Sequence, residues 1–182
     1  MAAECDEVPA PLNLLRRRPL YLVRASETDA LTSLPAVPTA RAADEEIARS
    51  GRGPSCLALV EVDHMERIED AHDVVLRAMA VRARDAIRDS DVLVRYAGDR
   101  FLLVLSGTDA DGAMLAADRV RAEAAASPVA TASGPLSVTV SIGLAEIALD
   151  ESLAAAISRA DSSLLRAQAS AGDRVVLETS AA

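Results

Sequence analysis

Aromatic residues are almost missing from this sequence, which has no tryptophan, 2 tyrosines and 1 phenylalanine. Its core must therefore be aliphatic, drawn from the Ala, Val and Leu that dominate its 51% apolar content. Cysteine is scarce as well. Cys5 and Cys56 lie far apart, form no metal or redox motif, and read as unpaired thiols of a reducing cytoplasm. No apolar run is long enough to cross a membrane, and no basic segment leads into an apolar core at the N-terminus. The expectation is a cytoplasmic chain without membrane insertion. Lysine is absent, and all 19 cations are arginines. A net charge of -9 argues against a broad nucleic-acid surface, so an anionic ligand needs a local arginine cluster set against that background. Arginine suits planar, bidentate partners such as guanine edges and phosphates; GC-rich coding produces the same bias.

What is present fits one domain of 182 residues. Residues 1–26, with Pro9, Pro11 and Pro19 around Arg16-Arg17-Arg18, read as an N-terminal arm, in which Leu20–Val23 suits a short strand. A turn-rich stretch, Thr28–Pro35, precedes a predicted helix over Thr39–Ser50. Cys56–Asp63 reads as a buried strand whose Glu61 and Asp63, two apart, share one face. Helices are predicted over Val74–Arg88, from Asp109 or Asp111 to Ala125, and from Asp150 or Ser152 to Gln168. Strands are predicted over Leu136–Ala145 and Arg174–Leu177. The stretch Val92–Leu105 reads as a hairpin turning at Gly98, with Asp99 and Arg100 at its tip. This order gives an α+β domain with helices on a mainly antiparallel central sheet.

These residues resemble a family. Asp29-Ala30-Leu31-Thr32-Ser33-Leu34-Pro35 is similar to the D-x-L-T-G-L-P opening of GGDEF domains, the diguanylate cyclases. Glu61-Val62-Asp63 stands at the D-x-D strand end, and Ala97-Gly98-Asp99-Arg100-Phe101 at the signature hairpin after Arg95-Tyr96. Val140-Ser141-Ile142-Gly143 and Ala160-Asp161 match the later V-S-I-G and A-D landmarks. The resemblance implies a GGDEF domain over residues 27–178 with a nucleotidyl-cyclase-like fold. Active members join two GTP molecules into cyclic di-GMP, using two carboxylates that hold divalent metal on the phosphates.

Several positions depart from that pattern, which implies a degenerate domain with a vestigial active site at Glu61, Glu69, Asp73, Ala97, Gly98, Asp99 and Arg100. Glu61 replaces the metal-binding Asp, Asp99 keeps the hairpin carboxylate, and Arg100 replaces the following Glu. At ~4 Å and an effective dielectric near 20, that charge reversal changes a pair energy by several kcal/mol, against divalent metal. Glu69 stands at the base-binding Asn, Asp73 at the second base contact, and the loop between them is short. The family's A-K-x-x-G-R becomes Ala167-Gln168-Ala169-Ser170-Ala171-Gly172, without its two phosphate cations. The expectation is therefore no enzyme, no catalytic residue, no metal and no cofactor.

Arg88-Asp89-Ser90-Asp91 is an R-x-x-D with five residues between it and Ala97, where the family carries its product-binding inhibitory site. Arg41/Asp44, Arg67/Asp70 and Arg82/Asp85 fit the same pattern at other addresses. An arginine fork can donate to guanine O6 and N7, and a carboxylate can accept from N1–H and N2–H₂. Arg119 matches a further arginine of such sites, and Arg95 adds positive potential nearby. The sequence thus reads as a cyclic di-GMP receptor in bacterial second-messenger signalling, binding at Arg88, Asp91 and Arg119 and acting through a protein partner or homodimer. The alternatives are a ligand-independent docking module and a divergent diguanylate cyclase using Glu61 and Asp99.

Overall fold

The structure is a computed structural model that describes residues 28–35, 53–148 and 151–178. The expected arm, the Leu20–Val23 strand and the Thr39–Ser50 helix lie outside the described residues. The first element is β1 (Cys56–Val62), where the predicted strand stands. Two short 3-10 turns, Met65–Arg67 and Glu69–Ala71, lead into α1 (His72–Asp85). The hairpin follows as β2 (Val92–Ala97) and β3 (Arg100–Leu105), with Gly98 at φ +55 in its two-residue turn. Helix α2 (Ala110–Ala125) starts on Asp109, whose carboxylate accepts from the Gly112 N–H at 2.9 Å. Then come β4 (Val129–Thr131), β5 (Gly134–Leu136), β6 (Val140–Glu146), α3 (Leu153–Ala169) and β7 (Val175–Leu177).

The central sheet runs β2-β3-β1-β6-β7 and is antiparallel except for the β6–β7 pair. Alternation along β1 divides the core. Cys56, Ala58, Val60 and Val62 join α1 and α2 on one face, while Leu57 and Leu59 join α3 on the other. Phe101, the one phenylalanine, is buried among aliphatic neighbours, as the composition requires. The buried thiol of Cys56 donates to the Thr108 carbonyl, and burial pushes its pKa up to about 12.

Two expectations need correction. The run Leu136–Ala145 is not one strand: Leu136 ends β5 of a separate β4–β5 hairpin that turns at Ala132–Ser133, with Gly134 at φ +116 just after the turn, and β6 begins only at Val140. Just before β6, Thr139 continues the β1–β6 register, its carbonyl accepting from the Asp63 N–H at 3.0 Å and its hydroxyl donating to the Asp63 carboxylate at 2.6 Å. Helix α1 stops at Asp85 instead of Arg88, because residues 88–91 form a turn of their own.

The motif landmarks have mechanical meaning. In the Asp29–Pro35 turn, the Asp29 carboxylate accepts from the Thr32 N–H at 2.8 Å and the Thr32 hydroxyl at 2.6 Å. Ser33, at φ +57, occupies the place of the motif's glycine. Gly143 lies under α3 so closely that a Cβ there would stand 2.1 Å from the Ala160 carbonyl oxygen and 2.2 Å from the Leu164 nitrogen. Both atoms are backbone and cannot rotate away. Gly143→Ala is therefore expected to cost at least about 1–3 kcal/mol, the usual range for overpacking, and to lower the melting temperature in a thermal denaturation scan.

Candidate functional site

Register and alternation place Glu61, Asp63 and Arg100 on the α3 face, at one end of the sheet. Glu61 is paired directly with Arg100 across the β1–β3 ladder and with Ser141 across β1–β6. Arg100 donates through Nε to Oε2 of Glu61 and through Nη1 to Oδ1 of Asp161 on α3 at 2.8 Å. Gln168, further along α3, donates to the other Glu61 oxygen at 2.8 Å. Asp63 is buried and accepts from Thr139 and Ser141 hydroxyls, each at 2.6 Å, and from the Asp173 N–H at 2.9 Å. Burial works against the charge on Arg100, but Glu61, Asp161 and Asp99 together raise its pKa above the usual arginine value.

Beside this network lies a cleft of about 200 Å³, lined among others by Glu61, Asp63, Asp99, Gln168 and Gly172. Asp99 has no hydrogen-bond partner among the described residues. No three His, Cys, Asp or Glu side chains among those residues converge as a metal-binding group. Asp73 lies exposed in the first turn of α1 and does not line the cleft; Glu69 falls in the 3-10 turn before it. Gly172, at φ +72, packs against Asp63: a Cβ at this position would meet its carboxylate at 2.9 Å.

The second candidate site lies at the opposite end of β2. The Arg88 N–H donates to Oδ2 of Asp91 at 2.9 Å, and the Asp91 N–H donates back to the Arg88 carbonyl at 3.1 Å. Asp91 is only 5% exposed, and one of its oxygens anchors the turn. Burial pushes its pKa up, against the Arg88 N–H and the two guanidiniums of Arg88 and Arg119, which favour the charge. Arg119, on α2, donates through Nε to the Ala86 carbonyl at the end of α1. The three residues thus converge: Arg88 is exposed, Asp91 is buried beneath it, and Arg119 is pinned alongside. Arg95 does not join them. It donates to the Gly98 carbonyl, stands 5.6 Å from the Phe101 ring centroid and faces Asp29 at 3.9 Å.

Comparison with known proteins follows this geometry. The model of the diguanylate cyclase GGDEF domain family matches residues 26–174. The chain belongs to the GGDEF family. It is 34% identical to the diguanylate cyclase DgcP of Pseudomonas aeruginosa over 156 residues, 81% of this chain and 23% of that protein. Its similarity to diguanylate cyclase A of Treponema denticola is 28% over 66% of this chain and 34% of the relative. The chain therefore spans about a quarter to a third of these relatives. Among solved structures, diguanylate cyclase SiaD of P. aeruginosa, in complex with its activator SiaC, superposes at TM-score 0.79 with 32% identity, covering 85% of this chain and 62% of SiaD. The GGDEF domain of DgcB from Caulobacter crescentus, in complex with cyclic di-GMP, superposes at 0.75 with 26% identity, covering 85% and 96%.

These findings correct the sequence reading in one respect. The expectation that this GGDEF domain is no enzyme is overturned by relatives that are themselves named diguanylate cyclases. The domain is homologous to cyclases and to GGDEF domains solved with cyclic di-GMP. No described helix is long and apolar enough to cross a membrane.

Sequence reasoning missed the partners of this GGDEF domain's carboxylates. The signal was available: the charge reversal at Arg100 and the loss of a cation at Gln168 occur together, and both side chains meet on Glu61. Arg82 also differs from its appearance in the sequence. Its guanidinium ties α1 to the end of α2, donating to the Ala124 carbonyl at 2.6 Å and the Ser127 hydroxyl at 3.0 Å. Arg82→Ala is expected to lose about 1–2 kcal/mol of stability, read as a lower melting temperature.

Proposed function

We propose that this GGDEF domain is a cyclic di-GMP receptor that takes the dinucleotide at Arg88 and Arg119 over the Asp91 turn. Occupancy would pass to a protein partner or to a second copy of the chain. The observation that carries the reading is the convergence of an exposed Arg88, a pinned Arg119 and a buried Asp91 at one corner. The Arg88 fork suits the O6 and N7 edge of guanine. A second cation beside it suits the dinucleotide's phosphates, standing against a chain of net charge -9. Solved neighbours support the ligand class, since DgcB's domain was determined with cyclic di-GMP. SiaD, solved with an activator protein, supports the idea of a partner.

A second reading is favoured by the relatives' names: GTP cyclisation, as in the diguanylate cyclases. Incubation with GTP and Mg²⁺ or Mn²⁺ followed by nucleotide chromatography tests it. Product that disappears in Asp99→Ala establishes it.

Titration calorimetry tests the receptor. A bidentate guanine contact is worth ~1–3 kcal/mol, so Arg88→Ala should weaken cyclic di-GMP binding about tenfold or more. Arg119→Ala should cost less. Asp91→Asn keeps an oxygen for the Arg88 N–H and should melt like the wild type yet bind more weakly; Asp91→Ala should lose both turn and affinity. The accepting form of Asp91 is the carboxylate, and burial raises the pH at which it protonates. Affinity should therefore be greatest near neutrality and fall on acidification, starting above the usual carboxylate range. Absence of heat at tens of micromolar (about a hundredth of the millimolar range) contradicts the reading.

A further inference from the structure

Family resemblance places a divalent cation among Glu61, Asp99 and the neighbouring carboxylates, and the residues present do not fit one. Both Glu61 oxygens are occupied, one by Arg100 and one by Gln168. Both Asp63 oxygens are occupied by hydroxyls and a backbone N–H. Asp161, which approaches the same corner from α3, accepts from the second arm of Arg100. A cation entering here would find a guanidinium already paired with Glu61 and Asp161, and would meet its positive charge at close range.

We propose that Arg100 is an internal counter-cation that takes the place of a divalent ion, clamping the β2–β3 hairpin to β1 and α3 and excluding metal from the Glu61–Asp99 cleft. Three elements meet on this one side chain: Arg100 opens β3, Glu61 ends the apolar run of β1, and Asp161 projects from α3. Gln168 completes the arrangement as a neutral donor, satisfying the Glu61 oxygen that Arg100 does not reach. The site differs from an exposed surface pair. The Glu61 side chain is 16% exposed, and charge-assisted bonds in such a setting are stronger than neutral ones. The inference does not depend on the cyclic di-GMP reading, whose residues lie at the other end of β2.

The removal of Arg100 should uncover what it covers. With the guanidinium gone, Glu61 and Asp161 lose the counter-charge they share, and Glu61 faces the cleft together with Asp99; the carboxylate oxygens so released are hard donors of the kind that Mg²⁺ or Mn²⁺ takes.

The experiment is a Mn²⁺ titration of the full chain, followed by the electron paramagnetic resonance of free ion and by thermal melting. Wild type should bind no Mn²⁺ saturably and keep its melting temperature. Arg100→Ala should melt lower without metal and bind Mn²⁺. For a site of ~0.1 mM affinity, ~10 mM ion should restore about 5–10 °C. The double variant Glu61→Gln/Arg100→Ala should lose that binding, which assigns the ion to this corner. Should Arg100→Ala fail to fold, Arg100→Gln replaces it with the same expected gain of Mn²⁺ binding. Saturable Mn²⁺ binding by the wild type that Glu61→Gln abolishes overturns the proposal. So does an arginine variant that folds and binds no Mn²⁺.

Discussion

No side chain fits between β6 and α3 at Gly143, and the arrangement of this domain depends on that close approach. It lets α3 lie with its backbone against the sheet, burying Ala160 and Leu164 over Leu57 and Leu59. The same approach brings the polar residues of α3 within reach of the strand ends. Asp161 and Gln168 meet Arg100 and Glu61 only because the helix that carries them sits so low. Packing at one glycine thus positions polar side chains about two helical turns apart.

The two ends of β2 handle charge in opposite ways. At the hairpin tip, cations and anions satisfy one another within the protein, and a cleft lined by acidic side chains remains beside them. At the Arg88 end, the carboxylate is turned inward to hold a backbone turn, leaving the exposed guanidinium outermost. An acidic chain therefore presents a small cationic corner, and an anion approaching it is attracted locally while distant charges are screened within about 10 Å. Binding at that corner should weaken as salt rises.

Much of the fold was legible in sequence because its signals are local. The alternating run of β1, the Gly98 turn and the Ser152 and Asp109 caps all specify their elements through neighbouring residues. The β4–β5 hairpin was not legible, since Leu136–Ala145 alternates throughout and only the pairing of Leu136 with Val129 sets its first residue apart from β6. Ser33 and Ala171, at φ +57 and +78, stand where the motifs carry glycine, so that sequence alone made those turns look altered while the backbone kept its shape. At the candidate sites, residue types were readable but partners were not. Asp91 also anchors a turn, a role that its motif did not announce; Arg95 looked like added potential and is held by Gly98, Phe101 and Asp29. At Glu61 the partners Arg100 and Gln168 come from segments far apart in sequence, which no local pattern reports. The family relation itself rested on landmarks in order, and the reading of catalytic inactivity drawn from substitutions did not survive the relatives' identities as cyclases.

Hydrogen–deuterium exchange with and without cyclic di-GMP tests the central claim most directly, because it reports where the ligand sits without altering any residue. The account predicts added protection at the 86–91 turn and along the α2 segment around Arg119, with the strand end at Glu61 and the α3–β7 connection unchanged. Protection confined to 61–66 and 168–173, with no change at the Arg88 turn, would contradict it and place the nucleotide at the hairpin tip instead.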